Sequence, residues 1–263
     1  MKCEISVLAS GSSGNSIFIK GNNIKVLIDA GLSGKEIERR LNKIGEDAEN
    51  INAILVTHEH NDHINGAGVL SRRYDIPIYA NQLTWEGATK KIGSVKEKNC
   101  RLFNNVFMLG DIGFEPFSIS HDALDPVGFI VHVARKRIVI ATDMGQITPT
   151  VREKLAAPDF MIIEANHDLD MLMNGSYPQS LKRRIRGKEG HLSNDDTASL
   201  LPEILEDNSP RILLAHLSQD NNDPRVALLT VKNNLEEYGF QVGKDLKLDC
   251  AFREKPTRKY IIG

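Results

Sequence analysis

Cysteine is scarce in this chain. Its three, Cys3, Cys100 and Cys250, are odd in number and far apart, and no C-x-x-C pair occurs. That excludes a disulfide framework and a thiolate zinc site, and a reducing cytoplasm is the simplest setting. No apolar run approaches the length of a membrane span, and Ile5 to Ala9 near the N-terminus is too short and broken for a signal peptide, so no membrane partner is expected. A large excess of one charge is absent too. The formal net charge is -2, so any contact with nucleic acid must come from a local patch. There is no G-x-G-x-x-G fingerprint or P-loop, no internal repeat, and no Pro/Gly linker or low-complexity tract. The chain has 263 residues, 41% hydrophobic and 26% charged, as in an ordinary globular protein with a sizeable core. It reads as one domain, 1–263.

Against that background one stretch stands out: Thr57-His58-Glu59-His60-Asn61-Asp62-His63. It follows the apolar run Ile51 to Val56, so it lies where a buried strand passes into a loop. His58, His60, Asp62 and His63 are imidazole and carboxylate ligands that suit zinc, manganese or iron. In a tight loop, His58 and His60 can point one way and Asp62 and His63 another, so one segment can serve two adjacent metal ions.

The rest of the chain alternates strand-like and helix-like runs. Residues 3–9, 17–19 and 24–28 read as strands, with Ser10 to Ser16 a turn and Ser33 an N-cap. Further strands are expected at 77–80, within 101–119, and at 127–133, 137–141, 160–163 and 211–215. Helical patterns occupy 66–74, 82–91, 178–186, 194–206 and 224–238. Asp29, His58, His121, Asp143, Glu164 and His216 each lie at or just after the end of an apolar run. Residues at strand ends along one sheet edge can converge however distant they are in sequence. His132, inside a strand-like run, and Trp85, inside a helix-like one, read as structural.

This order of motifs (His-x-His-x-Asp-His, then an isolated His, an isolated Asp and a last His) resembles the metallo-β-lactamase superfamily over nearly the whole chain. The resemblance implies an α/β fold, a four-layer αβ/βα sandwich with two divalent metals at one edge between the sheets. By position, His58, His60 and His121 would bind one ion, Asp62, His63 and His216 the other, with Asp143 bridging. Asp29 would orient this loop by hydrogen bonds. Two such ions can share a hydroxide that attacks phosphorus in line. An aspartate at position 143 is typical of the family's phosphodiesterases, nucleases and thioesterases rather than its true β-lactamases. A flavodiiron protein would need Glu where His60 stands.

The second half narrows the branch. Glu164-Ala165-Asn166-His167-Asp168, Gly190-His191-Leu192-Ser193-Asn194 and the segment around His216 resemble the YycJ (WalJ)-type branch, as does Leu8 to Asn15. Glu164 and His191 are also similar to the Glu–His pair of RNase Z. That implies catalytic roles for Asp62, Glu164 and His191, with Glu164 orienting His191 so that it stabilises phosphate charge or protonates the leaving oxygen. His167, Ser193 and Asn194 become candidate substrate contacts. So do Arg183, Arg184 and Arg186 in the basic run that precedes His191, which could neutralise phosphates. The segment 144–215 has no room for the extra domain of β-CASP nucleases such as RNase J. The expectation is a two-metal phosphodiesterase acting on nucleic acid, a DNA exonuclease. The alternatives are a small-molecule phosphodiesterase or glyoxalase II-like thioester hydrolase, and a non-catalytic, metal-stabilised nucleic-acid-binding or regulatory protein.

Overall fold

The computed structural model describes residues 2–206 and 209–263. In chain order the elements are β1 (Cys3–Ala9), β2 (Ser16–Lys20), β3 (Lys25–Ile28), α1 (Gly34–Lys43), β4 (Ala53–Leu55), α2 (Asn61–Ile64), α3 (Ala67–Tyr74), β5 (Ile78–Ala80), α4 (Gln82–Ile92) and β6 (Cys100–Leu102). The second half follows with β7 (Phe107–Leu109), β8 (Ile112–Ser118), β9 (Val127–Val133), β10 (Lys136–Ala141), α5 (Pro149–Leu155), β11 (Phe160–Glu164), α6 (Leu169–Asn174), α7 (Gln179–Ile185), α8 (Asn194–Ile204), β12 (Arg211–Ala215), α9 (Pro224–Glu237), β13 (Lys247–Cys250) and β14 (Tyr260–Ile262).

Among the described residues two seven-stranded sheets form, ordered β14-β1-β2-β3-β4-β5-β6 and β13-β12-β11-β10-β9-β8-β7. Their central strands are apolar on both faces because each sheet is covered on both sides. Alternate residues divide between layers. Val7, Ile28 and Leu55 pack inward, against Phe114, Phe129 and Ile162 of the other sheet. Leu8, Leu27 and Ile54 pack outward, against Ile37 and Leu41 of α1, Leu70 of α3 and Ile92 of α4. On the other side Val139, Ile163 and Leu214 meet Leu155 of α5, Leu201 of α8 and Val231 of α9. Each fully buried Leu, Ile or Phe contributes about 1.5–3 kcal/mol. Three apolar layers separated by two sheets make the expected αβ/βα sandwich.

Strand direction explains the convergence of distant residues. β3 and β4 are parallel, as are β10, β11 and β12. β8 is antiparallel to β9, and β9 to β10, so β8 runs with β10. The C-terminal ends of β8, β10, β11 and β12 therefore share one edge of their sheet. At the ends of β3, β10 and β12, which supply site residues, the chain turns through a left-handed conformation on a non-glycine residue: Asp29 (φ 60°), Asp143 (φ 62°) and His216 (φ 55°). Such conformations cost of order 1–3 kcal/mol each and persist where the surroundings fix them.

The structure adds elements that the sequence pattern did not suggest: α5, α6, β13 and β14. It also changes the histidine stretch. Asn61–Ile64 is a helical turn, α2, rather than an open loop, with His60 at its N-cap position. Asp62 and His63 thus sit on one turn of helix, and His58 and His60 on the extended chain before it.

Candidate metal centre

The histidine stretch is held from below by Asp29. One of its carboxylate oxygens accepts from the Thr57 backbone N–H at 2.9 Å, and the other from Thr57 Oγ1 at 2.9 Å and His63 Nδ1 at 2.8 Å. With Nδ1 donating, His63 presents Nε2 to the site. The turn at Ser10–Ser16 is a second support. Asn15 N–H donates to the Asp62 carbonyl at 2.7 Å, and its side-chain amide lies 3.0 Å from His63 Nε2 and 3.3 Å from Asp62 Oδ2. Gly31 makes this approach possible, since a Cβ there would stand 1.6 Å from the Asp62 carbonyl oxygen.

The donor atoms of His58, His60 and His121 lie within 4.8 Å of one another, as do those of Asp62, His63 and His216. Asp143 stands between the groups. Its Oδ2 is 3.4 Å from His63 Nε2, and its Oδ1 is 3.5 Å from His216 Nε2 and 3.9 Å from His121 Nε2. All the residues expected to hold metal are therefore brought together, with Asp29 beneath them.

The arrangement fits metal ions on three grounds. First, His58 Nε2, His216 Nε2 and Asp143 Oδ2 are buried without a hydrogen-bond partner, a state that native proteins rarely leave unexplained. Second, His60 Nδ1 and His121 Nε2 are 3.3 Å apart; two nitrogens each about 2.0–2.1 Å from a tetrahedral zinc would be separated by about that much. Third, the electrostatics favour cations. Burial opposes charge on His63, but Asp29 and then Asp143 overcome it and raise its pKa to about 10. Burial likewise opposes charge on His216, and Asp143 with Glu164 raises it to about 9. For His58, burial and then His63 outweigh the pull of Asp143 and hold it well below the usual imidazole range. The field that protonates two imidazoles would also attract a dication.

Glu164 is fully buried. Its Oε1 accepts from His191 Nδ1 at 2.8 Å and from His216 Nδ1 at 2.7 Å. Its Oε2 accepts from the backbone N–H groups of Met144 at 2.9 Å and Leu192 at 3.1 Å. Burial pushes its pKa up, but His191 and then His216 dominate and hold the carboxyl at about 2. The link to His216 was not visible in the sequence, where only His191 suggested itself. His191 keeps 21% of its side chain exposed. It lines a cleft of about 190 Å³ together with Ser12, Asn166, Tyr177, Arg184 and His216.

Several residues read as substrate contacts are placed otherwise. The Ser193 hydroxyl caps α8, accepting from the Asp196 N–H at 3.0 Å and donating to its carboxylate at 2.6 Å. The buried Asn194 exchanges amide hydrogen bonds with Asn222. His167 is 1% exposed, with neither ring nitrogen bonded. These three are enclosed because the chain on either side of them packs into the second sheet's helical layer. In the basic run, Arg184 is locked onto Asp122 at 2.7 Å, and Arg186 leans on the Met173 sulfur at 3.4 Å. Arg183 is exposed. Lys182 is buried and donates to the Met173 and Gly175 carbonyls at 2.7 Å. Trp85 ties α4 to β6 by donating to the Arg101 carbonyl at 2.8 Å, and His132 pairs with Glu115 on β8 at 3.0 Å. Neither belongs to the site.

Comparison with known proteins gives the same picture. Residues 25–216 match the Beta-lactamase superfamily domain. The chain is 39% identical to exodeoxyribonuclease YycJ of Bacillus anthracis, over 98% of both chains. It is 41% identical to exodeoxyribonuclease WalJ of Streptococcus pneumoniae (serotype 2), over 93% of both. Its fold matches the metallo-β-lactamase fold protein YhfI of Bacillus subtilis at a TM-score of 0.70 and 13% identity, covering 98% of this chain and 99% of that one. Human tRNase Z, short form, matches at 0.63 and 16% identity, covering 99% and 98%. With its edge-on cluster of histidines and aspartates and full-length similarity to these proteins, the chain belongs to the metallo-β-lactamase superfamily, within the group that contains YycJ and WalJ.

Proposed function

We propose that this protein is a metal-dependent phosphodiesterase that shortens nucleic acid from an end, with DNA as substrate. One observation carries the reading beyond the family. His191 is part-exposed in a cleft beside the ligand cluster, and its Nδ1 is held by a buried carboxylate that also holds His216. Exodeoxyribonucleases similar over 93–98% of this chain supply the substrate class.

His58, His60 and His121 would hold one divalent ion and Asp62, His63 and His216 another, with Asp143 shared. Zinc, manganese or iron at these positions would supply an activated water and neutralise charge on the phosphoryl oxygens. The chain's own groups account for the proton transfers. Asp62, with 24% of its side chain exposed against 3% for Asp143, is the more accessible of the two carboxylates and takes a proton from the attacking water. As the new P–O bond forms and the old one breaks, His191 Nε2 gives its proton to the departing oxygen. Glu164 keeps Nδ1 protonated and the ring in place. Ser193, Asn194 and His167 act by holding the His191 segment, and the exposed Arg183 contacts the phosphate backbone.

The residues 1–263 act as one unit, which the antiparallel pairing of β1 with β14 supports. No described helix is long and apolar enough to cross a membrane, and we place the enzyme in the cytoplasm. The test is degradation of end-labelled single- and double-stranded DNA and RNA by metal-replete protein, beside its His58→Ala and Asp143→Ala variants. Loss in both variants supports the reading; identical behaviour of all three overturns it.

A further inference from the structure

A second cavity, about 450 Å³, opens beside the catalytic cleft. Its size lies within the range of small-molecule sites, with room for one nucleotide. Ser218 lines both cavities, so the two are neighbours. Ser10 also lines the larger one, and its hydroxyl accepts from the His216 backbone N–H at 2.7 Å. One wall is polar and comes from the chain after β12, including Gln219 and Asn222. The other is the segment between β13 and β14, with Phe252, Arg253 and Lys255.

That second wall combines an aromatic ring with cations on a fixed backbone. Phe252 remains 39% exposed, and the Lys255 ammonium stands 4.3 Å from the centre of its ring. The backbone beneath is pinned at successive points. Ala251 N–H donates to the Leu214 carbonyl at 2.7 Å, Ser10 N–H to the Phe252 carbonyl at 3.3 Å, and Thr257 N–H to the Val7 carbonyl at 2.9 Å. The buried Arg40 guanidinium donates to the Arg253 carbonyl at 2.7 Å and to the Leu8 carbonyl at 2.8 Å. A flexible loop would let an exposed phenyl ring fold away from water; this one holds it in a groove. The acidic groups nearby are already engaged. Asp223 caps α9, accepting from the Arg225 N–H at 2.8 Å, and Glu254 pairs with Arg253 at 3.1 Å.

We propose that this groove is a nucleotide subsite. A base of a single strand, adjacent to the scissile phosphate, stacks on Phe252, and Lys255 meets the neighbouring phosphate. Aromatic stacking tolerates any base, and cations beside it follow the backbone, as single-strand binding requires. The inference rests on the nuclease reading and adds to it the part of the strand that the metal cleft does not hold.

The test compares wild type, Phe252→Ala, Phe252→Trp and Lys255→Glu as metal-replete enzymes. Substrates are a single-stranded DNA oligonucleotide, the same oligonucleotide with an abasic residue at successive terminal positions, and bis(p-nitrophenyl) phosphate. Phe252→Ala raises KM on the intact oligonucleotide about 10-fold. It leaves bis(p-nitrophenyl) phosphate turnover unchanged and loses its effect when the abasic residue occupies one particular position. Phe252→Trp restores KM, and its fluorescence is quenched by the oligonucleotide. Equal KM for wild type and Phe252→Ala on the intact strand overturns the proposal. If wild type cleaves no oligonucleotide, the nuclease reading fails by itself, and anisotropy decides the subsite. Weaker oligonucleotide binding by Phe252→Ala and Lys255→Glu then upholds it, and unchanged binding rejects it.

Discussion

Glu164 Oε1 lies 2.7 Å from His216 Nδ1 and 2.8 Å from His191 Nδ1. One buried carboxylate oxygen thus joins a residue of the ligand cluster to the part-exposed imidazole of the cleft. Glu164→Gln removes the charge that orients both rings. Loss of such a supporting carboxylate typically costs 10–100-fold in metal affinity or activity, about that much here in each. Metal titration by calorimetry, beside nuclease rates at saturating metal, separates the two losses. An unchanged metal affinity would show that the hydrogen bond to His216 does not matter.

His191→Ala breaks only the other branch. If His191 protonates the leaving oxygen, kcat on DNA falls by roughly 10²–10⁴-fold, with metal content unchanged. Bis(p-nitrophenyl) phosphate needs little such help, because p-nitrophenolate departs without a proton. The variant therefore keeps most of its rate on that ester. Equal losses on both substrates would assign His191 to charge stabilisation of the phosphoryl group instead.

Gly31 is where β3, α2 and the Ser10–Ser16 turn meet. A methyl group there would fall 1.6 Å from the Asp62 carbonyl oxygen and 2.7 Å from the Asn15 nitrogen. Both neighbours are backbone, so relief must come from moving the ligand-bearing turn. Gly31→Ala should cost about 3 kcal/mol and displace Asp62 and His63. Urea denaturation and metal binding check this together. A stable variant with normal metal affinity would contradict the close packing described.

Much of this was legible in the sequence. Strands covered on both faces leave long apolar runs, and the polar residue ending each run, such as Asp29, Asp143 or His216, marks the edge where the site forms. The supporting contacts were not legible, because they depend on tertiary approach. Ser10 meets the His216 backbone across 206 positions, and Asn15 meets His63 across 48. Short or exposed elements also escape the periodic signal. β13 reads Lys-Leu-Asp-Cys at a sheet edge, β14 has three residues and α6 has six. Lys182 shows the limit of reading charge as surface. Its ammonium is buried, satisfying two carbonyls at the end of α6 and beyond it.

Away from the site, Glu46 gathers three lysines: Lys259 at 2.5 Å, Lys25 at 2.9 Å and Lys20 at 3.1 Å. Burial would raise its pKa, but these cations, Lys259 foremost, lower it to about 2. The folded value lies below the ordinary glutamate value of about 4.3. The stabilisation is therefore complete above that pH and disappears as pH falls towards about 2. Glu46→Gln should lose about 1–2 kcal/mol at pH 7. The gap between it and wild type in urea denaturation should narrow steadily below about pH 4. A gap independent of pH would rule out the ionic origin.

Metal-dependent nuclease activity rests on the histidine and aspartate cluster. Its most direct test is degradation of end-labelled single-stranded DNA by protein reconstituted with zinc, manganese or iron, beside the chelated form and the Asp143→Ala variant. Progressive shortening from one end is expected with metal, and none after chelation or in Asp143→Ala. No shortening with any of the three metals, or equal shortening by the variant, would contradict it.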